Sequence, residues 1–253
     1  GGSYKLSEYL AKIIQQNCGE IITKANVIKA DIKSVTYTTK NQNITIEADE
    51  IISNISPQDS YKLFDIAYSE GKQIAESITT IYLGFSKNLK NIYGKGCYSN
   101  FIIDDVNSFV FVDYSQIDSG LVDEAKSFGE ICLMGELKNW DRLDDEEYKK
   151  QKERILENTL EKLEKSYLNL RQYIEFTEVA TPKTMVRYTK TPNGTAYGYK
   201  PTPRQFFRVP KIKSDKVNNL YFVGQFVIAG GFSPAIISGK MCADAIIEKS
   251  NRG

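Results

Sequence analysis

Histidine is absent from the 253 residues of this chain. That absence removes Ser-His-Asp and Cys-His nucleophilic catalysis, histidine-ligated zinc and every imidazole general base. Proton transfer is left to carboxylates, lysine, tyrosine, cysteine, solvent or a cofactor. Cysteine is scarce too: Cys18, Cys97, Cys132 and Cys242 are scattered, with no Cys-x-x-Cys pair. The spacing argues against a disulfide framework or zinc knuckle and predicts single, buried thiols in a reducing compartment, with no metal site. Neither sign of charge is in excess, since 33 Lys plus Arg face 32 Asp plus Glu, a net charge of +1. A nucleic-acid partner, which needs clustered basic surface, is therefore not expected. No apolar run reaches the ~18 residues of a membrane span, and no basic-then-apolar leader opens the chain. The expected protein is cytoplasmic, with no integral membrane segment.

What is present suits a globular core: 41% of residues are hydrophobic and 26% charged, with 16 Tyr and 12 Phe to supply flat surfaces. Leu6, Tyr9, Leu10, Ile13 and Ile14 fall at helical spacing, which predicts a helix over 4–17 stopped by Cys18-Gly19. Val35, Tyr37 and Thr39 alternate with polar residues, and Ile44, Ile46 and Ala48 resume the alternation after Asn41-Gln42-Asn43. This reads as a hairpin. The run 48–54 reads as a short buried strand before Pro57. Further strands are predicted over 78–85, Phe101-Ile102-Ile103, 109–112 and 131–134. A long helix is predicted over 144–168, with the stripe Tyr148, Ile155, Leu156, Leu160, Leu163 and Tyr167. Its exposed side carries the i,i+4 pairs Asp145–Lys149, Glu146–Lys150 and Glu161–Lys165. After Pro182 the density of Tyr, Gly and Pro predicts an ordered loop.

Most chemical motifs fail on inspection. Gly231-Phe232-Ser233-Pro234-Ala235 lacks the second Gly of a nucleophile elbow, and no histidine exists to serve it. The stretch from Pro234 to Met241 misses both anchors of a phosphate-binding P-loop. Gly94-Lys95-Gly96 opens no helix and reads as a turn. Asp104-Asp105 and Asp144-Asp145 diverge in direction, so they make poor acid–base pairs. One constellation survives. The apolar run Leu220-Tyr221-Phe222-Val223 leads into Gly224-Gln225, Gly230-Gly231 turn the chain, and Ser233-Pro234 begin a helix to about Glu248. Ser is a good N-cap and Pro suits the first helical position. The amides of such a helix start attract an electron-rich oxygen or anion. Gly230 and Gly231 permit close approach by a planar ring, and Gly239 within the helix predicts a close neighbour. The same residues also fit a strand–turn–helix corner that holds no ligand.

That tail resembles the C-terminal flavin-binding segment of FAD-dependent oxidoreductases, most closely the phytoene desaturase, carotenoid isomerase and retinol saturase group. Other stretches agree in order: the opening Gly1-Gly2-Ser3-Tyr4, residues 27–32, residues 48–54, and residues 180–198 with Arg187-Tyr188-Thr189. The resemblance covers essentially the whole chain. It departs in one large respect, because the strand–Gly-x-Gly-x-x-Gly–helix that opens such enzymes is not in this sequence. What is present resembles their C-terminal portion.

The resemblance implies an α+β fold, an α/β remnant. C-terminal pieces of a glutathione-reductase-type FAD-binding domain would flank a substrate domain of mixed sheet and helix. Residues 1–56 and 215–253 would belong to the FAD side and 57–214 to the substrate side. FAD would be the cofactor. Val27 would offer backbone contact to adenine, while Gly224 and Gln225 would lie along the ribityl–pyrophosphate. Gly230, Gly231, Phe232 and Ser233 would meet the flavin head. Wider relatives carry an acid where Gln225 stands, so that contact would be neutral here. Tyr188, Tyr197 and Tyr199 are candidates for the substrate wall, with their packing of the loop as the alternative. No catalytic residue is identified. The implied reaction is hydride transfer between FAD and an apolar, isoprenoid or acyl substrate, as in a desaturase, saturase or isomerase. The implied partner is an N-terminal FAD-binding half, without which the chain is expected to be inactive and to self-associate as a homodimer. The alternative is a non-catalytic module that binds an apolar ligand or a partner protein.

Overall fold

Alternation and helical periodicity account for most of the elements in the computed structural model, which describes residues 2–69, 71–102, 108–206 and 211–251. Gly1, Ile103 and the pair Asp104-Asp105 named above lie outside those residues. In chain order the elements are α1 (Gly2–Gln16), β1 (Asn26–Asp31), β2 (Ser34–Thr39), β3 (Gln42–Glu47), β4 (Ile51–Ser53) and α2 (Pro57–Leu63). There follow β5 (Ser77–Phe85), α3 (Leu89–Tyr93), β6 (Tyr98–Phe101), β7 (Phe109–Asp113), β8 (Ser127–Gly135) and α4 (Asp145–Glu164). The last are β9 (Ile174–Ala180), α5 (Pro182–Thr189), α6 (Pro203–Phe206), β10 (Leu220–Phe222) and α7 (Phe232–Ser250).

These elements form two compact units, one of residues 1–21 with 76–194 and the other of 22–75 with 195–253. The breaks therefore fall at 21/22, 75/76 and 194/195, whereas the sequence reading put them at 56/57 and 214/215. Tyr61 of α2 buries its ring in the same cluster as Leu220 and Phe222 of β10, which draws the segment after Pro57 into the second unit.

The first unit is built on an antiparallel sheet of order β6-β7-β8-β5-β9. Strand alternation turns Ile81, Leu83 and Phe85 of β5 to one face, where they meet Ile131, Phe111 and Val179 from neighbouring strands. Leu160 and Leu163 of α4 and Leu170 close this core. Each fully buried apolar side chain contributes about 1.5–3 kcal/mol relative to exposure. Asp144 starts α4 with a capping box, accepting from the Glu147 amide while Glu147 returns to the Asp144 amide. Of the anticipated i,i+4 pairs on α4, Glu146–Lys150 closes at 2.5 Å. Two elements differ from expectation. The edge strand β9 was not anticipated, because Glu175 and Glu178 interrupt its apolar residues; they pair instead with Lys126 and Lys152. The segment after Thr181 begins as helix α5 rather than loop, since Thr181 and Thr184 form a second capping box and Pro182 takes the first turn. At the chain start, α1 ends as expected, with Cys18 left-handed at φ 62 and the Gly19 amide donating to the Ile14 carbonyl at 2.9 Å.

The second unit holds a meander, β1-β2-β3, and a parallel pair, β4 with β10. Lys40 and Asn41, both left-handed, make the two-residue turn between β2 and β3. Parallel pairing of Ile51–Ser53 with residues 220–222 joins segments far apart in sequence, a feature of α/β topology. Asn219 secures the junction, donating through Nδ2 to the carbonyls of Ile32 (2.5 Å) and Asp49 (2.9 Å). Beneath it, the Tyr61 hydroxyl meets Ser214 Oγ at 2.7 Å.

Candidate functional site

The surviving constellation lies in the second unit, where β10 runs into the turn before α7. The Val223 amide donates to the Ser53 carbonyl at 2.9 Å, extending the parallel pairing by one residue. Gly224 follows at φ +88, and a side chain there would run into Asn54 Oδ1. Its amide donates to Ser238 Oγ at 2.8 Å, and that fully buried hydroxyl donates to the Ala235 carbonyl at 2.6 Å. The start of α7 is thereby tied to the end of β10. Neither Asn54 nor Ser238 stood out in the sequence, because nothing local marks a polar side chain as the bracket of a distant turn.

The next residues are held by the loop at 195–200. A Cβ on Gly198 would fall on the Gln225 carbonyl group, whose carbon lies 2.8 Å from that position. A Cβ on Gly230 would sit 2.6 Å from Tyr197 Cα. Tyr197 and Gly230 are thus in direct contact, and that side of Gly230 is taken by its own chain. Tyr199 packs edge-on against Phe226, with centroids 5.3 Å apart, beneath the Lys72 ammonium at 4.6 Å. Gly231 is different. At φ +105 it caps α7, and among the described residues the only heavy atom within 4 Å of its vacant Cβ position is Pro234 Cδ at 3.9 Å.

The helix opens two residues earlier than expected. Gly231 is the cap, Phe232 the first helical residue and Ser233 the second, so Ser233 is not the N-cap. Proline is tolerated throughout the first turn, where its missing N–H costs no intrahelical bond, and Pro234 does not fix the start. With no side-chain cap, the amides of Phe232 and Ser233 are first-turn donors at exposed residues. Gly239, expected to face a close neighbour, has no described atom within 4 Å of its Cβ position. Gln225 is half-buried, and Val27 lies on β1, exposed and paired with Tyr37. Tyr188 lies on α5 of the first unit, 74% exposed, with the Arg187 guanidinium over its ring.

Ionisable groups respond to each unit's packing. Burial is the main cause that raises the Tyr61 pKa, and the Lys211 ammonium beside Asp215 holds that carboxyl below its usual range. On the sheet face of the first unit away from α4, Tyr82 and Glu130 are direct cross-strand partners, and Tyr82 stacks on Phe128. Burial pushes Glu130 and Cys132 upward, and Tyr82 rises through burial and the nearby Glu130. The four cysteines are all unpaired, but of the thiols expected to be buried only Cys242 is; Cys97 and Cys132 are half-buried and Cys18 is exposed.

Comparison with known proteins now gives this geometry a context. The family model described as flavin containing amine oxidoreductase matches residues 1–247. Prolycopene isomerase of Daucus carota, a chloroplastic protein, is 30% identical over 280 residues, covering 99% of this chain and 45% of the relative. Prolycopene isomerase 1 of an Oncidium hybrid cultivar is 29% identical, covering 98% and 46%. The chain spans about half the length of the curated relatives it matches. Those relatives are chloroplastic by description, which lends no support to a cytoplasmic location. Among the described residues, no helix is long and apolar enough to cross a membrane. Cyclohexylamine oxidase of Brevibacterium oxydans shares the fold with a TM-score of 0.63 at 16% identity, covering 99% of this chain and 53% of its own. Putrescine oxidase follows at 0.59 and 13%, covering 88% and 48%. The mixed α/β architecture anticipated from the sequence is therefore that of flavin amine oxidases. The chain belongs to the flavin-containing amine oxidoreductase family, whose cofactor is FAD.

Proposed function

We propose that this chain is the flavin-head and substrate-facing part of an FAD-dependent oxidoreductase of desaturase, saturase or isomerase type. Its substrate is apolar, an isoprenoid or acyl chain. The observation that carries this reading is the match to prolycopene isomerases along 99% of the chain. The turn before α7 fits the cofactor on its own geometry, because Gly231 leaves open the space a side chain would fill.

In this reading residues 22–75 and 195–253 are pieces of a glutathione-reductase-type FAD-binding domain, and 76–194 are the substrate side. Val27 contacts adenine through its backbone, and Gly224 and Gln225 lie along the ribityl–pyrophosphate. Gly231, Phe232 and Ser233 present backbone donors to the flavin head, where the dipole of α7 favours negative charge. Gly230 serves by letting Tyr197 close on the turn, and Tyr197, Tyr199 and Tyr188 are the aromatic residues proposed to touch the substrate. FAD supplies the hydride chemistry when bound. The protein's part is to seat the ring, exclude water and orient an apolar chain, work that needs no histidine. The pyrophosphate-binding half is supplied as a partner segment.

Co-expression with the N-terminal half of the carrot relative tests this. The complex should purify yellow and retain FAD through gel filtration. Gly231→Val should release the flavin while leaving the circular dichroism spectrum unchanged. A folded complex that stays colourless with added FAD overturns the reading. The exposed Phe232, Ile236 and Ile237 of α7 favour a second one, a non-catalytic module or homodimer joined through that helix. Native mass spectrometry showing a stable dimer or a co-purified apolar ligand, with no FAD retention in the co-expressed complex, is its signature.

A further inference from the structure

The first unit contains a cavity of about 700 Å³ where α4 lies over the ends of β5 and β8. That volume is within the roughly 300–1,000 Å³ of small-molecule sites. One wall is a stripe along α4: Gln151, Arg154, Asn158 and Lys162 recur at helical spacing and all line the cavity. Arg154 and Lys162 are eight residues apart, about 12 Å along the axis. Two such long side chains can converge on one group seated over Asn158. The facing side carries an apolar patch, Leu133, Met134 and the buried Trp140, beside the polar Glu76, Thr79 and Asn139.

The two cations of this lining are not held in ion pairs with any described residue. Among the described residues, neither Arg154 nor Lys162 has a carboxylate within ion-pair distance, and the hydrogen bond assigned to Arg154 goes to the neutral Gln151 at 2.6 Å. Of the two acids on the lining, Glu136 is paired with Lys138 at 2.8 Å. The other acid, Glu76, also has a partner of its own. Several other charges on α4 are ion-paired, as in Glu146–Lys150, Lys152–Glu178 and the Arg171 bridge to Glu157 and Glu164. Two unmatched cations beside two side-chain amides favour an anion, since charge-assisted hydrogen bonds are stronger than neutral ones. The facing apolar wall favours a hydrocarbon body on that anion.

We infer that this cavity is a binding site for a soluble anionic amphiphile, a phosphate or carboxylate head on an apolar body. The head sits between Arg154 and Lys162, and the body lies against Leu133, Met134 and Trp140. The site is separate from the turn at Gly231 and does not depend on the flavin reading.

Titration of the chain with dodecyl phosphate below its micellar concentration, followed by Trp140 fluorescence and calorimetry, is the test. One molecule should bind per chain, and Arg154→Gln and Lys162→Gln should each weaken it by ~10-fold, equivalent to about 1.4 kcal/mol. Asn158→Trp, on the α4 side of the lining, fills the seat without changing its charge and should abolish binding. Lys149→Gln, on an exposed α4 residue outside the lining, should leave it unchanged. Dodecanol or inorganic phosphate binding as tightly as dodecyl phosphate overturns the inference. So does equal weakening by Lys149→Gln, which would signify charge attraction without a seat.

Discussion

At the scale of single residues, the turn before α7 is held by glycines that do different things. Gly198 has φ +74, and a Cβ there meets the main chain of Gln225, which has no rotamer through which to withdraw. Gly231 has φ +105 but faces open space. Alanine at either position bears a positive-φ backbone penalty of roughly 1–3 kcal/mol, and Gly231, at φ 105 and ψ 167, lies where glycine alone is at ease. At position 198 alone it also drives the 195–200 loop away from the turn. Gly198→Ala should therefore destabilise by about 2–4 kcal/mol, and Gly231→Ala by no more than the backbone penalty. Thermal melting of the two variants measures the difference, and equal shifts would refute the distinction. The glycines were legible in the sequence; what each one faces was not. Gly230 was read as room for a ligand and is filled by Tyr197. Ser233 was read as a cap, a role Gly231 holds through its backbone alone.

Among the elements, strands with clean alternation and helices with a full apolar stripe were visible in advance: β5, β7, β8, the β2–β3 hairpin, α1 and α4. Those missed are stabilised by partners distant in sequence or by caps too short to register. β9 is an edge strand whose two glutamates are matched by lysines at positions 126 and 152. α5 is set by a four-residue box inside a segment rich in loop formers. β8 carries a further consequence. Glu130, in the middle of the sheet face away from α4, is pushed upward by burial, with no opposite charge as a cause. A raised folded-state value means that the native state holds this proton more tightly than the unfolded chain. Its contribution is favourable below the unfolded value and is lost as pH rises through the folded one. Glu130→Gln should therefore raise the urea midpoint at neutral pH, with the gain shrinking toward acidic pH. A gain independent of pH would mean that charge is not the cause.

For the whole chain, the sequence showed which family it resembles but not how its segments group, because grouping depends on contacts between residues 61 and 222 or 81 and 179. Each unit has its own apolar cluster. One is Ile81, Leu83, Phe85, Ile131 and Leu163 with their neighbours, and the other is Tyr61, Val217, Leu220 and Phe222. Among the described residues no buried one belongs to both, so loss of a side chain from one core should leave the other core's cohesion intact. The chain has a single tryptophan, Trp140, and it is buried in the first unit. Its fluorescence therefore reports that unit, whereas far-ultraviolet circular dichroism reports both. Leu163→Ala, at a fully buried position, should cost about 2–5 kcal/mol and lower the fluorescence transition. Phe222→Ala should cost about 3–5 kcal/mol and displace part of the dichroism transition while leaving the fluorescence transition in place. If Phe222→Ala moves the Trp140 transition as far as Leu163→Ala does, the two clusters unfold as one cooperative body and the division into units has no thermodynamic meaning.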